Sequence, residues 1–130
     1  MNSQIQILKP FAPSVVKQLD MGAYRADYVS WTDKIQRLIH LGLSYDWTLD
    51  RPYNSGDEKE PVGITGRLTV EIDGTVRKVD GVGQGRDAKN ASTDAFSRAC
   101  AFLGLGLHLW CQGGDKDGGY WVEGILASDE

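Results

Sequence analysis

An α+β fold, a three-stranded antiparallel sheet with helices packed on it in a single domain, follows from three observations. Val62, Ile64, Leu68, Val70 and Ile72 keep a period of two, and Asp73-Gly74 follows as a hairpin signal. Ala91, Ala95, Ala99 and Phe102 recur at helical spacing between the glycines at 81–85 and Gly104, a narrow small-residue face that suits close approach to a sheet. A further helix, capped at Ser30, precedes the sheet. Helices on one face of an antiparallel sheet form an α+β layer pair, and 130 residues fit one modest core.

Residues 1–27 read as an N-terminal arm. Leu8 to Pro13 is extended by its prolines, and Ser14 is a candidate cap for a short helix through Leu19. The core is 28–111. In it Ser30 and Asp33 resemble a capping box, Trp31, Ile35, Leu38 and Ile39 form an apolar stripe, and Gly42 is a stop. Leu43 to Arg51 predicts a strand and Pro52 to Pro61 a polar loop. Thr75 to Val82 returns as the partner of the period-two strand. Val76 and Val79 have opposite parity there, which predicts a bulge or an edge position. The glycine run to Gly85 releases the chain into the small-residue helix, with Asp87 as N-cap and Gly104 as its end. Residues 112–130 form an acidic tail with a candidate strand at 120–126.

The formal net charge of −4 speaks against a nucleic-acid binder until its distribution is read. The tail holds Lys116 against five carboxylates, leaving thirteen basic and thirteen acidic groups on residues 1–111. A local basic stripe is therefore compatible with the total. Cys100 and Cys111 form no CxxC pair and have no histidine cluster beside them, which predicts small buried hydrophobes in a reduced compartment. No apolar run is long enough to span a membrane and no secretion signal is visible, so the expected location is cytoplasmic.

Gly81-x-Gly83-x-Gly85 invites a dinucleotide-binding reading. The fingerprint needs its third glycine where Arg86 stands, and a hairpin rather than a βαβ unit precedes it. No P-loop is present. His40 and His108 are isolated from metal-ligand neighbours. Nothing assembles a nucleophile motif, so the expectation is a non-enzyme with no cofactor and no metal. The cations are more informative: Arg67, Arg77 and Lys78 on the hairpin, then Arg86, Lys89 and Arg98. Either they belong to a solvated surface of mixed charge, with Asp94 and Arg98 as an i,i+4 pair, or they line a groove that contacts successive phosphates.

The same residues resemble the annealing core of the Rad-fifty-two superfamily of single-strand annealing proteins, chiefly its bacterial and phage members. The likeness covers roughly Leu8 to Trp110. It rests on the proline-containing arm, Tyr28, the helix from Ser30, Trp47, and the Asp73-Gly74 hairpin leading into Gly81-Val82-Gly83. The strongest stretch is Ala91-Ser92-Thr93-Asp94-Ala95-Phe96-Ser97-Arg98-Ala99 with its exit, Phe102 to Trp110.

The resemblance implies a β-β-β-α core whose subunits assemble into rings or filaments, with the 1–27 arm making oligomer contacts. Single-stranded DNA would run in a basic groove, held by its backbone with base edges exposed, and anneal without ATP in recombination and repair. It implies Arg98 on the groove helix, Arg86 and Lys89 ahead of it, and Lys34 on the first helix, with Arg37 beside it as a further candidate. It also implies a phage or prophage origin in a bacterial host. Ser97 and Ala101 stand where the family often has further cations, so Arg67, Arg77 and Lys78 are candidates to supplement the groove. The acidic tail is a candidate contact for a single-strand-binding protein. Two rivals stay open. One is a non-annealing single-stranded nucleic-acid module stacking bases on Trp47, Tyr45 or Tyr53, aromatics that core packing also explains. The other is a protein–protein adaptor using the acidic tail.

Overall fold

Strand β5 (Val62–Ile72) organises the molecule. Its partner β6 (Thr75–Gly85) pairs with it along the whole length, from Ile72↔Thr75 to Val62↔Gly85. The turn between them places Asp73 at φ 51° and Gly74 at φ 84°. Positive φ at both central residues matches the right-handed twist of a two-residue hairpin. Two strands share the other edge of β5: β3 (Ser44–Leu49) opposite residues 66–71, and the two-residue β4 (Tyr53–Asn54) opposite residues 62 and 63. The sheet therefore has four strands where the sequence predicts three, because Tyr53 and Asn54 leave the expected loop to pair with β5.

The structure, a computed structural model, describes residues 3–20 and 25–110. Ahead of the sheet lie α1 (Ser3–Leu8), a 3₁₀ turn at Pro13–Val15, a small hairpin of β1 (Lys17–Asp20) with β2 (Arg25–Tyr28), and α2 (Trp31–His40). After it come α3 (Ala88–Leu103) and a 3₁₀ turn at Leu107–Leu109. The expected helix from Ser14 to Leu19 is not formed. The chain leaves the 3₁₀ turn at Val16, whose β-branched side chain suits its extended backbone, and residues 17–20 pair with 25–28 instead. The candidate strand at 120–126, the acidic tail and Cys111 lie outside the described residues.

The two faces of β5 differ sharply. Ile64, Leu68, Val70 and Ile72 are buried under α3, while Arg67 and Glu71 are exposed on the opposite face. Val79 stands opposite Leu68 and Val76 opposite Glu71, in unbroken register. Their opposite parity thus marks an edge strand with Val76 turned to solvent, without a bulge.

The inward positions of β6 are Gly81, Gly83 and Gly85, and they seat α3. A Cβ on Gly81 would stand 2.1 Å from the Ala95 carbonyl oxygen, and one on Gly85 would stand 2.5 Å from the Ala91 amide nitrogen. The glycine run is thus the end of a strand shaped for a helix of alanines. Cys100 and Leu103 complete the buried face with Phe96, whereas Phe102, expected there, is 71% exposed.

Both long helices stop in the same way. Leu43 donates to the Leu38 carbonyl after Gly42, and Leu105 donates to the Cys100 carbonyl after Gly104, with φ of 71° and 104° at the two glycines. This six-to-one bond is the Schellman closure. It returns Leu105 to the core, where it is fully buried.

The N-terminal segment is part of that core. Ile7 and Phe11 pack with Val29, Leu38, Leu68 and Leu103. Arg37 of α2 reaches back to donate to the carbonyls of Lys9 and Pro10, and its guanidinium lies 3.9 Å from the centre of the Phe11 ring. Arg77 donates to the Gln4 side chain at 2.9 Å.

Candidate nucleic-acid interface

Helix α2 starts where the Ser30 hydroxyl accepts from the Thr32 amide at 3.3 Å. Its stripe is not the one the apolar residues predict. Leu38 is buried and Ile35 half-buried, but Trp31 and Ile39 are 48% and 61% exposed, and Lys34 is buried in the stripe. The reason is the position of α3, which covers the Lys34–Leu38 side of α2 and leaves Trp31 at the rim.

Between the two helices runs a groove. Its middle encloses about 450 Å³ and is lined by Tyr28, Ser30, Lys34, Asp94, Ser97 and Trp110 among others. It shares Trp31 and Thr93 with a hollow of about 300 Å³ beside Lys89 and Trp47. It shares Trp110 with another of about 220 Å³ beside Arg98 and Phe102. Aromatic and hydroxyl side chains dominate the lining, and the cations come from both helices.

Lys34 is 2% exposed. Burial pushes its ammonium below the ordinary lysine pKa, against the opposing pull of Cys100 and then Asp94. Gly106, at φ +74°, leaves room for the Lys34 stem, since a Cβ there would stand 3.2 Å from Cε. Cys100 is fully buried, and the same desolvation pushes its thiol up to about 12.

Arg98 is exposed and pairs with Asp94 one turn earlier, Nε to Oδ2 at 3.3 Å. Its guanidinium also lies 5.0 Å from the centre of the Trp110 ring. Asp94 is held from a second side by the Gln84 amide at 3.0 Å. The i,i+4 pair expected from the sequence is therefore present, and it stands at the groove. Lys89, in the first turn of α3, lines the hollow with Trp31.

The other candidate cations lie elsewhere. Arg67 and Lys78 project from the face of the sheet that α3 does not cover. There Arg67 is bound to Asp80 at 2.8 Å, a contact that raises the arginine pKa and lowers that of the aspartate. Arg37 and Arg77 hold the N-terminal segment. Arg86 is exposed between β6 and α3. Of the eight, the structure brings Lys34, Lys89 and Arg98 onto one groove.

No family model and no curated protein matches the chain. Among the described residues, no three His, Cys, Asp or Glu side chains gather as a metal site, and no helix is long and apolar enough to cross a membrane.

The sequence reading missed Trp31 and Trp110 as groove residues. Trp31 fits an apolar helical stripe equally well, and Trp110 lies beyond the last helix. Only the half-exposure of each, 48% and 47%, separates them from the core. Of the aromatics named as stacking candidates, Trp47 and Tyr45 line the hollow while also packing on the core. Tyr53 lies over Gly63, with ring carbon Cε2 2.5 Å from where a Cβ would be.

Proposed function

We propose that this protein binds single-stranded DNA along the groove between α2 and α3 and anneals complementary strands without ATP, as an oligomer of the Rad-fifty-two type. The observation that carries the reading is that Lys34 of α2 joins Lys89 and Arg98 of α3 along one groove, although Lys34 lies more than fifty residues earlier in the chain. These are three of the cations that the resemblance selects. Neutralising a DNA backbone lets two strands approach, and bases left outside the groove can then test pairing. Counterion release makes such binding weaken with salt. The setting that goes with it is recombination in a bacterial host cell, on behalf of a phage or prophage, with the acidic tail reaching a single-strand-binding protein.

The aromatic lining of the groove favours a second reading, a single-stranded nucleic-acid binding module that stacks bases without annealing them. One experiment separates the two. The pairing rate of two dye-labelled complementary oligonucleotides is followed with and without the protein, in the absence of ATP. Acceleration that high salt abolishes is the expected result. Saturated strands that pair no faster would leave the plain binding module, and absence of binding would remove both.

A further inference from the structure

Two tryptophans frame the hollow beside Lys89, and they are held differently. Trp47 is fixed by the sheet: its ring occupies the place of a side chain on Gly66, where a Cβ would stand 2.2 Å from Cη2. Phe96 meets it edge-on with ring centres 5.1 Å apart. Trp31 has no such seat. It opens α2 with 48% of its surface in solvent and forms part of the same lining. Among the described residues that line the hollow, Lys89 is the one that is charged, and the polar ones besides it and Tyr45 are Ser92 and Thr93.

That lining is chemically selective. Aromatic walls take a flat aromatic group, a single cation with no carboxylate among the described lining residues takes an anion, and about 300 Å³ is at the small end of ligand pockets. A nucleobase with its own phosphate meets all three conditions. The hollow also opens onto the central groove through Trp31 and Thr93, which line both. A strand running along the groove thus passes its mouth.

We infer that the Trp31–Trp47 hollow is a nucleobase subsite: one base of the bound strand turns inward and stacks on Trp31, with its phosphate at Lys89. This rests on the single-strand reading of the groove and adds to it. A strand held only by its backbone offers every base for pairing, whereas a strand anchored here withholds one base per subunit and fixes the register of the others.

The test compares oligothymidylate with an abasic strand of equal length, using the full chain at moderate salt. Affinity and tryptophan fluorescence are read for the native protein, Trp31→Ala and Trp31→Phe. The native protein should bind the thymidylate about tenfold more tightly than the abasic strand, with quenching that the abasic strand does not produce. Trp31→Ala should bind the two strands about equally, and Trp31→Phe should restore most of the preference. Equal affinity of the native protein for both strands, or an unchanged preference in Trp31→Ala, overturns the subsite and leaves the groove reading standing. Failure to bind either strand removes the groove reading and the subsite with it. Half-exposure of Trp31 makes both variants compatible with folding, which their urea midpoints verify.

Discussion

Gly83 faces Ala91 across a gap that only a hydrogen atom fits: a Cβ on Gly83 would stand 2.3 Å from the Ala91 carbonyl oxygen. The same atom would stand 2.3 Å from the Ala95 amide nitrogen, so the obstacle is backbone on both sides and cannot swing away. Glycine on the strand and alanine on the helix are complementary halves of one contact.

Gly83→Ala should therefore push α3 off the sheet and cost about 2–3 kcal/mol, as overpacking of a rigid site does. Gly74→Ala is the control. Its Cβ would meet nothing, and the cost is that of the left-handed backbone at φ +84°, about 1 kcal/mol. Urea midpoints of the two variants check this. Equal losses would mean that helix and sheet can separate without strain.

Arg37 and Arg98 should part company in DNA binding. Arg37 is spent on the carbonyls of Lys9 and Pro10 and on Phe11, so Arg37→Ala should cost about 2 kcal/mol of stability through lost charge-assisted bonds. Once folded, it should keep its DNA affinity. Arg98→Ala gives up a surface pair with Asp94 and the contact with the Trp110 ring, each worth about 0.5 kcal/mol. It should weaken single-strand binding several-fold and lower the log–log salt slope by about 0.7. Unchanged binding in Arg98→Ala would take that residue out of the interface.

The contrast between these two arginines also shows what the sequence could and could not reveal. Period-two alternation, the Asp73-Gly74 turn and two capped helices made the α+β layer legible, because each is a local signal. β4 escaped because two residues carry no period. Helix α1 escaped for the related reason that six residues do not complete two turns. The site was legible only as a set of cations. Arg37 and Lys34 are one turn apart on α2, and nothing local tells which of them turns to the arm and which to the groove. Where α3 and the N-terminal segment pack decides that, and these are contacts between distant parts of the chain.

Cys100 should be chemically silent in the native protein. Its thiol is fully buried and its pKa is pushed up to about 12, so at pH 8 roughly one molecule in ten thousand carries the thiolate that reacts. In a Cys111→Ser background, which leaves Cys100 as the single thiol, a disulfide reagent should titrate nothing until denaturant is added, and then one equivalent. Rapid native labelling would show that α3 opens at the Cys100 position far more readily than its packing suggests.

Lys34 sets a pH dependence whose sign follows from its burial. Its folded pKa lies below the value of about 10.5 in the unfolded chain, because desolvation disfavours the ammonium. Below the folded pKa both states are protonated, and folding carries the full penalty of the buried charge. As pH rises through the folded pKa, the native state releases its proton first, and the penalty fades until both states are neutral above about 10.5. Lys34→Met, which keeps the length of the stem and removes the charge, should therefore be more stable than the native protein at pH 7, by about 1 kcal/mol or more. That advantage should shrink toward pH 10. Cys100 works in the opposite sense, since above about 9 the unfolded chain ionises before the folded one. Removing the Lys34 ammonium, which draws that thiol down, only pushes it further up, so at pH 10 it stays protonated in both folded proteins and contributes nearly equally. The measurement is a pair of urea titrations at pH 7 and pH 10. A Lys34→Met advantage that persists undiminished at pH 10 would mean that the Lys34 ammonium costs the native fold nothing. The same substitution should lower single-strand affinity, because the charge that burdens the free fold is the one a phosphate would compensate.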